Sequence, residues 1–72
     1  MKTEHAEILK VLGQFLEENP EQRFGQALFN LHVNEFQEGG TPGNYRVRDI
    51  YSDWDREILE RATKAAREMS NH

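Results

Sequence analysis

The apolar positions in the first quarter of the chain repeat at the spacing of a helix. At 100° per residue, one face collects five apolar side chains: Ile8, Val11, Leu12, Phe15 and Leu16. Thr3 is a suitable N-cap, and Glu4 falls in the first turn, where acidic residues interact favourably with the helix dipole. The pattern predicts a first helix over residues 3–18 with one buried face.

The next segment is apolar around most of a helix circumference. Pro20 suits the first helical position after an Asn19 cap, so we predict a second helix over residues 20–36. One of its apolar faces contains Phe24, Ala27, Leu28 and Leu31, and the nearly opposite side carries Phe29 and Val33. A helix that is apolar on two sides usually packs against two partners. We therefore expect the second helix to be the central element of the core.

A third helix is predicted over residues 53–69. Ser52 and Asp55 approximate a capping box at its start. The predicted buried arc consists of Trp54, Ile58, Leu59, Ala62, Ala65 and Met69. The outer face would carry two acid-first ion pairs at the i, i+4 spacing, Glu57 with Arg61 and Glu60 with Lys64.

The connection over residues 37–52 begins with three glycines and a proline, which indicate a loop. Residues 45–51 alternate in polarity, but no second strand is evident to pair with them. We expect an ordered loop that lies across the helices, with pairing to another chain as the alternative. The predicted fold is a single all-α domain, a small antiparallel three-helix arrangement with a long ordered loop between helices 2 and 3.

The formal net charge of −4 lies entirely in the first half of the chain, since residues 39–72 contain six basic and six acidic residues. No strongly basic patch supports phosphate-backbone binding, which disfavours nucleic acid as a partner. The beginning of the chain does not resemble a signal peptide, and no segment approaches the length of a membrane span. With no cysteine in the sequence, we predict a cytoplasmic protein without a membrane partner.

The sequence contains no recognisable catalytic or metal-binding motif. His5 and His32 are not in a metal-ligand spacing, and no hydroxyl nucleophile is placed beside a base in a known pattern. The glycine-rich segment lacks the Gly-Lys-Ser/Thr ending of a phosphate-binding loop. We therefore predict that the protein is not an enzyme and needs neither a cofactor nor a metal.

A polar stripe on the second helix is the best candidate site. It consists of Arg23, Gln26, Asn30 and Asn34, at spacings that keep the side chains on one side. A guanidinium beside amides suits recognition of a peptide backbone, a carboxylate or a phosphate. The structural alternative is that Arg23 pairs with Asp49 or Asp53 while the amides bind the backbone of the connection.

Two motifs resemble a loose group of short bacterial and phage-borne proteins without an assigned function. These are an Arg-Phe-Gly-Gln-x-Leu-x-Asn-Leu helix after a proline, and an Asp-Ile-Tyr segment before an acidic helix start. The matching residues are Pro20, Arg23, Phe24, Gly25, Gln26, Leu28, Asn30, Leu31, Asp49, Ile50, Tyr51 and Asp53. The resemblance implies that Arg23, Gln26 and Asn30 act together with Asp49 and Tyr51, either as a structural lock or as a composite surface. It implies no activity.

The leading hypothesis is a small non-enzymatic protein-binding module whose partner is another protein. Its predicted binding residues are Arg23, Gln26, Asn30, Asp49 and Tyr51. If Phe29, Val33 or Phe36 stay exposed, self-association to a homodimer is the expected form. The alternatives are a nucleic-acid-associated regulator, similar in outline to a helix-turn-helix protein, and an anionic small-ligand sensor using Arg23.

Overall fold

The computed structural model describes residues 1–37 and 46–70. Within these ranges the chain forms three helices, α1 (Thr3–Glu18), α2 (Phe24–Asn30) and α3 (Asp55–Ser70). The same residues contain one isolated antiparallel bridge and no β-strand beyond it. None of the helices in this part of the chain has the length and apolar character that crossing a bilayer would require. The predicted all-α, three-helix class is confirmed.

Helix α1 has the predicted bounds, and its end is fixed by Asn19. The side-chain amide of Asn19 donates to the carbonyl oxygen of Phe15 at 2.9 Å, and the backbone N–H of Asn19 donates to the same oxygen at 3.0 Å. A carbonyl in the last turn of a helix otherwise lacks an intrahelical partner. Asn19 therefore closes α1 and does not act as the N-cap of the next helix.

Helix α2 is much shorter than predicted. Residues 20–22 form a turn, and the helix begins after Arg23, whose backbone N–H donates to Oε1 of Gln26 at 2.9 Å. At the other end, His32 has a φ of 60°, and its N–H donates to the carbonyl of Phe29 at 3.0 Å. A left-handed residue after the last turn is a common helix stop. The predicted bounds 20–36 are therefore wrong at both ends.

Helix α1, not α2, is the central element. It packs extensively against α3 and also contacts α2, whereas α2 and α3 touch only weakly. Lys2 contacts Asp55 where the two long helices begin, and Glu18 and Ser70 line one cleft where they end. Helices α1 and α3 therefore run in the same direction. The antiparallel orientation of α2 relative to them stays a prediction.

The core of the described residues is small. Its buried side chains are Phe15, Ala27, Leu31, Ala62 and Ala65, of which Leu31 is the largest that is fully enclosed. Most of the predicted apolar face of α1 packs against this cluster. Trp54 was predicted to be in the core but is 75% exposed, because α3 begins at Asp55, two residues after the predicted start at 53, and Trp54 precedes its first turn. Phe24 and Met69 are also exposed.

The residues that follow α2 pair with residues that precede α3. Phe36 and Val47 form the antiparallel bridge, with Gln37 N–H donating to the Arg46 carbonyl at 2.7 Å and Arg48 N–H donating to the Glu35 carbonyl at 2.8 Å. The prediction that this segment has no partner within the chain is wrong. The glycine-rich part of the predicted loop, with Tyr45, lies outside the described residues.

Candidate functional site

An open depression lies beside α2. Its volume is about 550 Å³, and its lining consists of Gln22, Gly25, Gln26, Phe29, Asn30 and Phe36. We call it the α2 depression. It contains two predicted site residues, Gln26 and Asn30, and none of the residues that line it is charged.

Two stacked phenylalanine rings form the apolar part of the α2 depression. The ring centroids of Phe29 and Phe36 are 4.5 Å apart, and the ring planes differ by 17°. Phe36 reaches this position because its bridge with Val47 folds the segment after α2 back along the domain. The side chain of Phe36 nevertheless remains 52% exposed. The sequence analysis named Phe36 only as a residue whose exposure would favour self-association, and it did not predict the stack with Phe29, which depends on where α2 ends.

Amide side chains form the polar part. Asn30 Nδ2 donates to Oε1 of Gln22 at 2.8 Å, and Oε1 of Gln26 accepts the Arg23 backbone N–H. These bonds leave the amino groups of Gln22 and Gln26, and the side-chain oxygen of Asn30, without a partner in the described part of the chain. The surface therefore presents both donors and an acceptor to an incoming molecule.

Gly25 leaves the space above this surface open. A Cβ built at Gly25 would meet no atom within 4 Å, as would a Cβ at Gly13 on α1. No described element approaches Gly25, so a side chain at position 25 would meet no close neighbour among the described residues.

The other predicted site residues are placed elsewhere. Arg23 is exposed and contributes its backbone N–H to the start of α2, but it does not line the depression. Asp49 Oδ1 accepts the backbone N–H of Tyr51 at 2.9 Å, which holds a turn before α3. The Tyr51 side chain is 93% exposed. The structure thus brings Gln26 together with Asn30, and Asp49 together with Tyr51.

A charge cluster that sequence reasoning missed joins three parts of the chain. It consists of Glu35 after α2, Arg48 and Asp53 in the connection, and Arg61 on α3. Arg48 donates to both carboxylate oxygens of Asp53, at 3.0 and 2.6 Å, and to Oε1 of Glu35 at 2.9 Å. Nη2 of Arg61 lies 2.8 Å from Asp53 Oδ2. Arg48 and Asp53 are five residues apart outside any helix, and Arg48 and Glu35 are 13 residues apart, so no helical spacing indicated these pairs.

The cluster also excludes the proposed pairing of Arg23 with Asp53, because Arg48 and Arg61 occupy that carboxylate. Hydrogen bonds from Arg48 lower the pKa of Asp53 to about 2 from its ordinary 3.8; desolvation opposes this shift, and Arg61 adds to it. The bonds to Asp53 and Glu35 raise the pKa of Arg48. A carboxyl group with so low a pKa is a poor proton donor at neutral pH, so this chemistry favours a structural role.

Arg61 also closes the end of α2. Its guanidinium donates to the carbonyl of His32 and, at 2.9 Å, to the carbonyl of Val33. The left-handed His32 turns these carbonyls out of the helical pattern, and a cation near a helix C-terminus interacts favourably with them. The predicted placement of Arg61 on the outer face is wrong, since its side chain is only 18% exposed.

A smaller contact joins the beginnings of α1 and α3. Lys2 Nζ donates to Asp55 Oδ2 at 2.6 Å, and His5 Nε2 lies 3.0 Å from the same oxygen. The hydrogen bond from Lys2 lowers the pKa of Asp55 and raises that of Lys2. Both partners are partly exposed, so this contact contributes less to stability than its short distance suggests.

Comparisons with protein-family models, with curated proteins and with solved structures found no match for this chain. Among residues 1–37 and 46–70, no group of three or more His, Cys, Asp or Glu side chains is arranged to hold a metal ion. The α2 depression, which combines stacked aromatic rings with amide side chains, is the candidate site among the described residues.

Proposed function

We propose that this protein is a small non-enzymatic protein-binding module whose binding surface is the α2 depression. One observation carries the proposal. The depression combines a partly exposed aromatic stack with amide donors and an amide acceptor that have no partner among the described residues, and no other described element covers it. Aromatic rings supply apolar contact area, and amides supply hydrogen bonds to a polypeptide backbone.

Tyr51 is the second anchor of the proposed surface. Its ring is almost fully exposed, while Asp49 fixes its backbone, so contact with a partner would cost little conformational freedom. We propose that Tyr51 and the α2 depression contact the same partner. The cytoplasmic location and the antiparallel orientation of α2 remain predictions as well.

The two alternative functions have weaker physical support. A nucleic-acid-binding arm would use Arg46 and Arg48, but the guanidinium of Arg48 already donates to Glu35 and Asp53. An anion sensor would use Arg23, but Arg23 lies outside the lining of the depression. The α2 depression has no charged lining residue, so it offers an anion no opposite charge.

Affinity capture with matched variants tests the proposal. The immobilised wild-type chain is compared with Gly25→Lys, Gly13→Lys and Tyr51→Ala in a bacterial lysate, the source that the resemblance implies. Both glycine substitutions add the same side chain to an open helix position, but only Gly25 lies in the depression. Far-ultraviolet circular dichroism checks that each variant is folded.

The expected result is a protein that the wild type and Gly13→Lys capture and that Gly25→Lys loses. Loss with Tyr51→Ala as well would place both anchors on one binding surface. Proteins that bind the bare matrix are subtracted from each captured set. If the wild type and Gly25→Lys then capture the same proteins, the α2 depression is refuted as the binding surface.

A further inference from the structure

The antiparallel bridge between Phe36 and Val47 leaves one edge of the chain open. These two residues exchange no hydrogen bond with each other, because the bonds are made on either side of Val47, by the carbonyl of Arg46 and the N–H of Arg48. In an antiparallel pair of this kind, the N–H and C=O groups of the facing residues point away from the paired segment. Val47 therefore directs its backbone donor and acceptor to the outer edge.

The backbone of residues 46–49 alternates between paired and unpaired groups. Arg46 and Arg48 bond to the segment that follows α2. By contrast, the N–H and C=O groups of Val47 and Asp49 have no partner among the described residues, and both residues are exposed. This alternation is typical of the edge of a β-sheet, where a row of unpaired donors and acceptors can be completed by a further strand.

The side chains of this edge restrict what can bind there. Val47 is 60% exposed and lies on the same face as Phe36, since directly opposed residues share one face of the pleat. An apolar side chain placed opposite Val47 would therefore extend the apolar surface of the α2 depression. Arg46 lies on the other face, because successive side chains alternate. Arg46 is exposed and has no ion-pair partner among the described residues, so it favours an acidic side chain beside it.

Unpaired backbone groups of this kind are complementary to an extended polypeptide. An extended backbone offers one N–H and one C=O to the same side at every second residue, a repeat of about 6.7 Å. A strand added to an exposed edge gains affinity from these main-chain hydrogen bonds and specificity from alternate side chains. Val47 and Asp49 are two residues apart, which is the spacing that such a strand requires.

From these observations we infer that a partner polypeptide binds as an added strand along residues 46–49, with main-chain hydrogen bonds to Val47 and Asp49. Its side chain opposite Val47 is apolar, and the adjacent one that faces Arg46 is acidic. This inference rests on the proposed function of a protein-binding module, because it names the form in which the partner binds beside the α2 depression.

A phage-displayed library of random peptides about ten residues long supplies the probe, since that length exceeds the span of the edge. The peptides that the wild-type chain selects are expected to share an apolar residue next to an acidic one. Each selected peptide is then added to the isotopically labelled chain, and amide hydrogen exchange is followed by nuclear magnetic resonance. Peptide binding is expected to slow exchange at the Val47 amide by at least about tenfold.

Two variants at position 47 separate the backbone contact from the side-chain contact. Val47→Pro removes the N–H that the added strand would bind, and its affinity for the selected peptides should fall by at least about tenfold. Proline is accommodated on a strand edge whose N–H faces solvent, so the fold should be retained, which circular dichroism checks. Val47→Thr is the matched control. It keeps the N–H and the branched shape, so its affinity should fall less than that of Val47→Pro.

Three results would each overturn the inference: a library that yields no peptide, unchanged exchange at the Val47 amide when peptide is bound, and equal peptide affinities of the wild type and Val47→Pro. The exchange result is obtained on the wild type and does not depend on how any variant folds. Self-association of the wild type in sedimentation equilibrium, abolished by Val47→Pro, would assign the edge to a second copy of this chain and reject a different polypeptide.

Gly25→Lys separates this inference from the proposed binding surface. Peptides that Gly25→Lys loses and Val47→Pro keeps, with no slowing of exchange at the Val47 amide, would retain the α2 depression and reject the added strand. Peptides that Val47→Pro loses, and that Gly25→Lys binds as well as the wild type does, would retain the added strand and reject the α2 depression.

Discussion

Asp53 is the residue at which two distant arginines meet. Arg48 donates to both carboxylate oxygens of Asp53, and Nη2 of Arg61 lies 2.8 Å from Oδ2 of the same carboxylate. The bidentate pair of Arg48 with Asp53 is geometrically specific but lies within the connection, and the contact of Arg61 with Asp53 is the one that joins the connection to α3. The contact also makes the stability of the domain depend on the charge of one carboxylate.

The first prediction concerns acid sensitivity. Because Arg48 and Arg61 lower the pKa of Asp53 to about 2 from 3.8, the ionised carboxylate stabilises the folded state above pH 3.8. This contribution is lost as the pH falls from 3.8 through about 2, where folded and unfolded chains both become protonated. Asp53→Asn should be less stable than the wild type at pH 7. Its free energy of unfolding should fall less steeply than that of the wild type as the pH is lowered from 3.8 to about 2.

Urea unfolding followed by circular dichroism at a series of pH values measures this difference. The free energy of unfolding of Asp53→Asn should still fall somewhat at acidic pH, because the pKa of Asp55 is lowered too. Asp49→Asn is the matched control: Asp49 contacts no lysine or arginine in the described residues, and an amide oxygen can still accept the Tyr51 N–H. Parallel pH profiles for the wild type and Asp53→Asn would contradict the prediction.

At the scale of elements, the sequence predicts the long helices well and the short one poorly. The face of α1 contains five apolar residues in helical register, and this pattern is sufficient to predict the bounds Thr3–Glu18. The bounds of α2 depend instead on Asn19, which binds α1, and on His32, which takes a left-handed conformation. The spacing of apolar residues indicates neither the contact of Asn19 with α1 nor the left-handed conformation of His32.

For the candidate site too, the sequence predicts the residues that are related by helical spacing and not those that the folded chain brings together. Gln26 and Asn30 were identified because they lie on one side of a helix, a relation that local spacing encodes. Phe36 was missed as their neighbour because its bridge with Val47 joins residues 11 positions apart through a chain reversal. The charge cluster was missed for the same reason, since Glu35 and Arg61 meet only after the connection has folded.

The second prediction concerns the contact between α2 and α3 that Arg61 makes. Arg61→Met keeps the length of the apolar stem but removes the donors to the carbonyls of His32 and Val33. Leaving partly buried acceptors without donors costs about 1–3 kcal/mol in the free energy of unfolding. Arg67→Met on the same helix is the control, because Arg67 is exposed and loses at most about 1 kcal/mol of dipole interaction.

Denaturant unfolding at neutral pH compares the two arginine variants. Arg61→Lys extends the test, because an ammonium cannot reproduce the planar fork that reaches several acceptors at once. We expect it to recover only part of the lost stability. Equal free energies of unfolding for Arg61→Met and Arg67→Met would show that the Arg61 contacts contribute no stability beyond that of an exposed arginine.

At the scale of the whole molecule, the domain is stabilised by a core with few members. Five side chains are buried among the described residues, and two of these are contributed by α3 as alanines. A domain of this size buries only about 60% of the surface that its unfolded chain exposes. Its stability is therefore sensitive to any loss of volume in the core and insensitive to changes at the strongly exposed aromatic residues Tyr51 and Trp54.

The last prediction compares Leu31, which is fully enclosed, with Trp54, which the sequence had also placed in the core. Leu31→Ala removes methyl groups from the centre of the cluster and should cost about 2–5 kcal/mol, enough to unfold much of so small a domain. Trp54→Ser should change the free energy of unfolding by less than about 0.5 kcal/mol, because the ring is already in solvent. Circular dichroism during urea titration measures both, and a large loss in Trp54→Ser would mean that the ring is buried in solution.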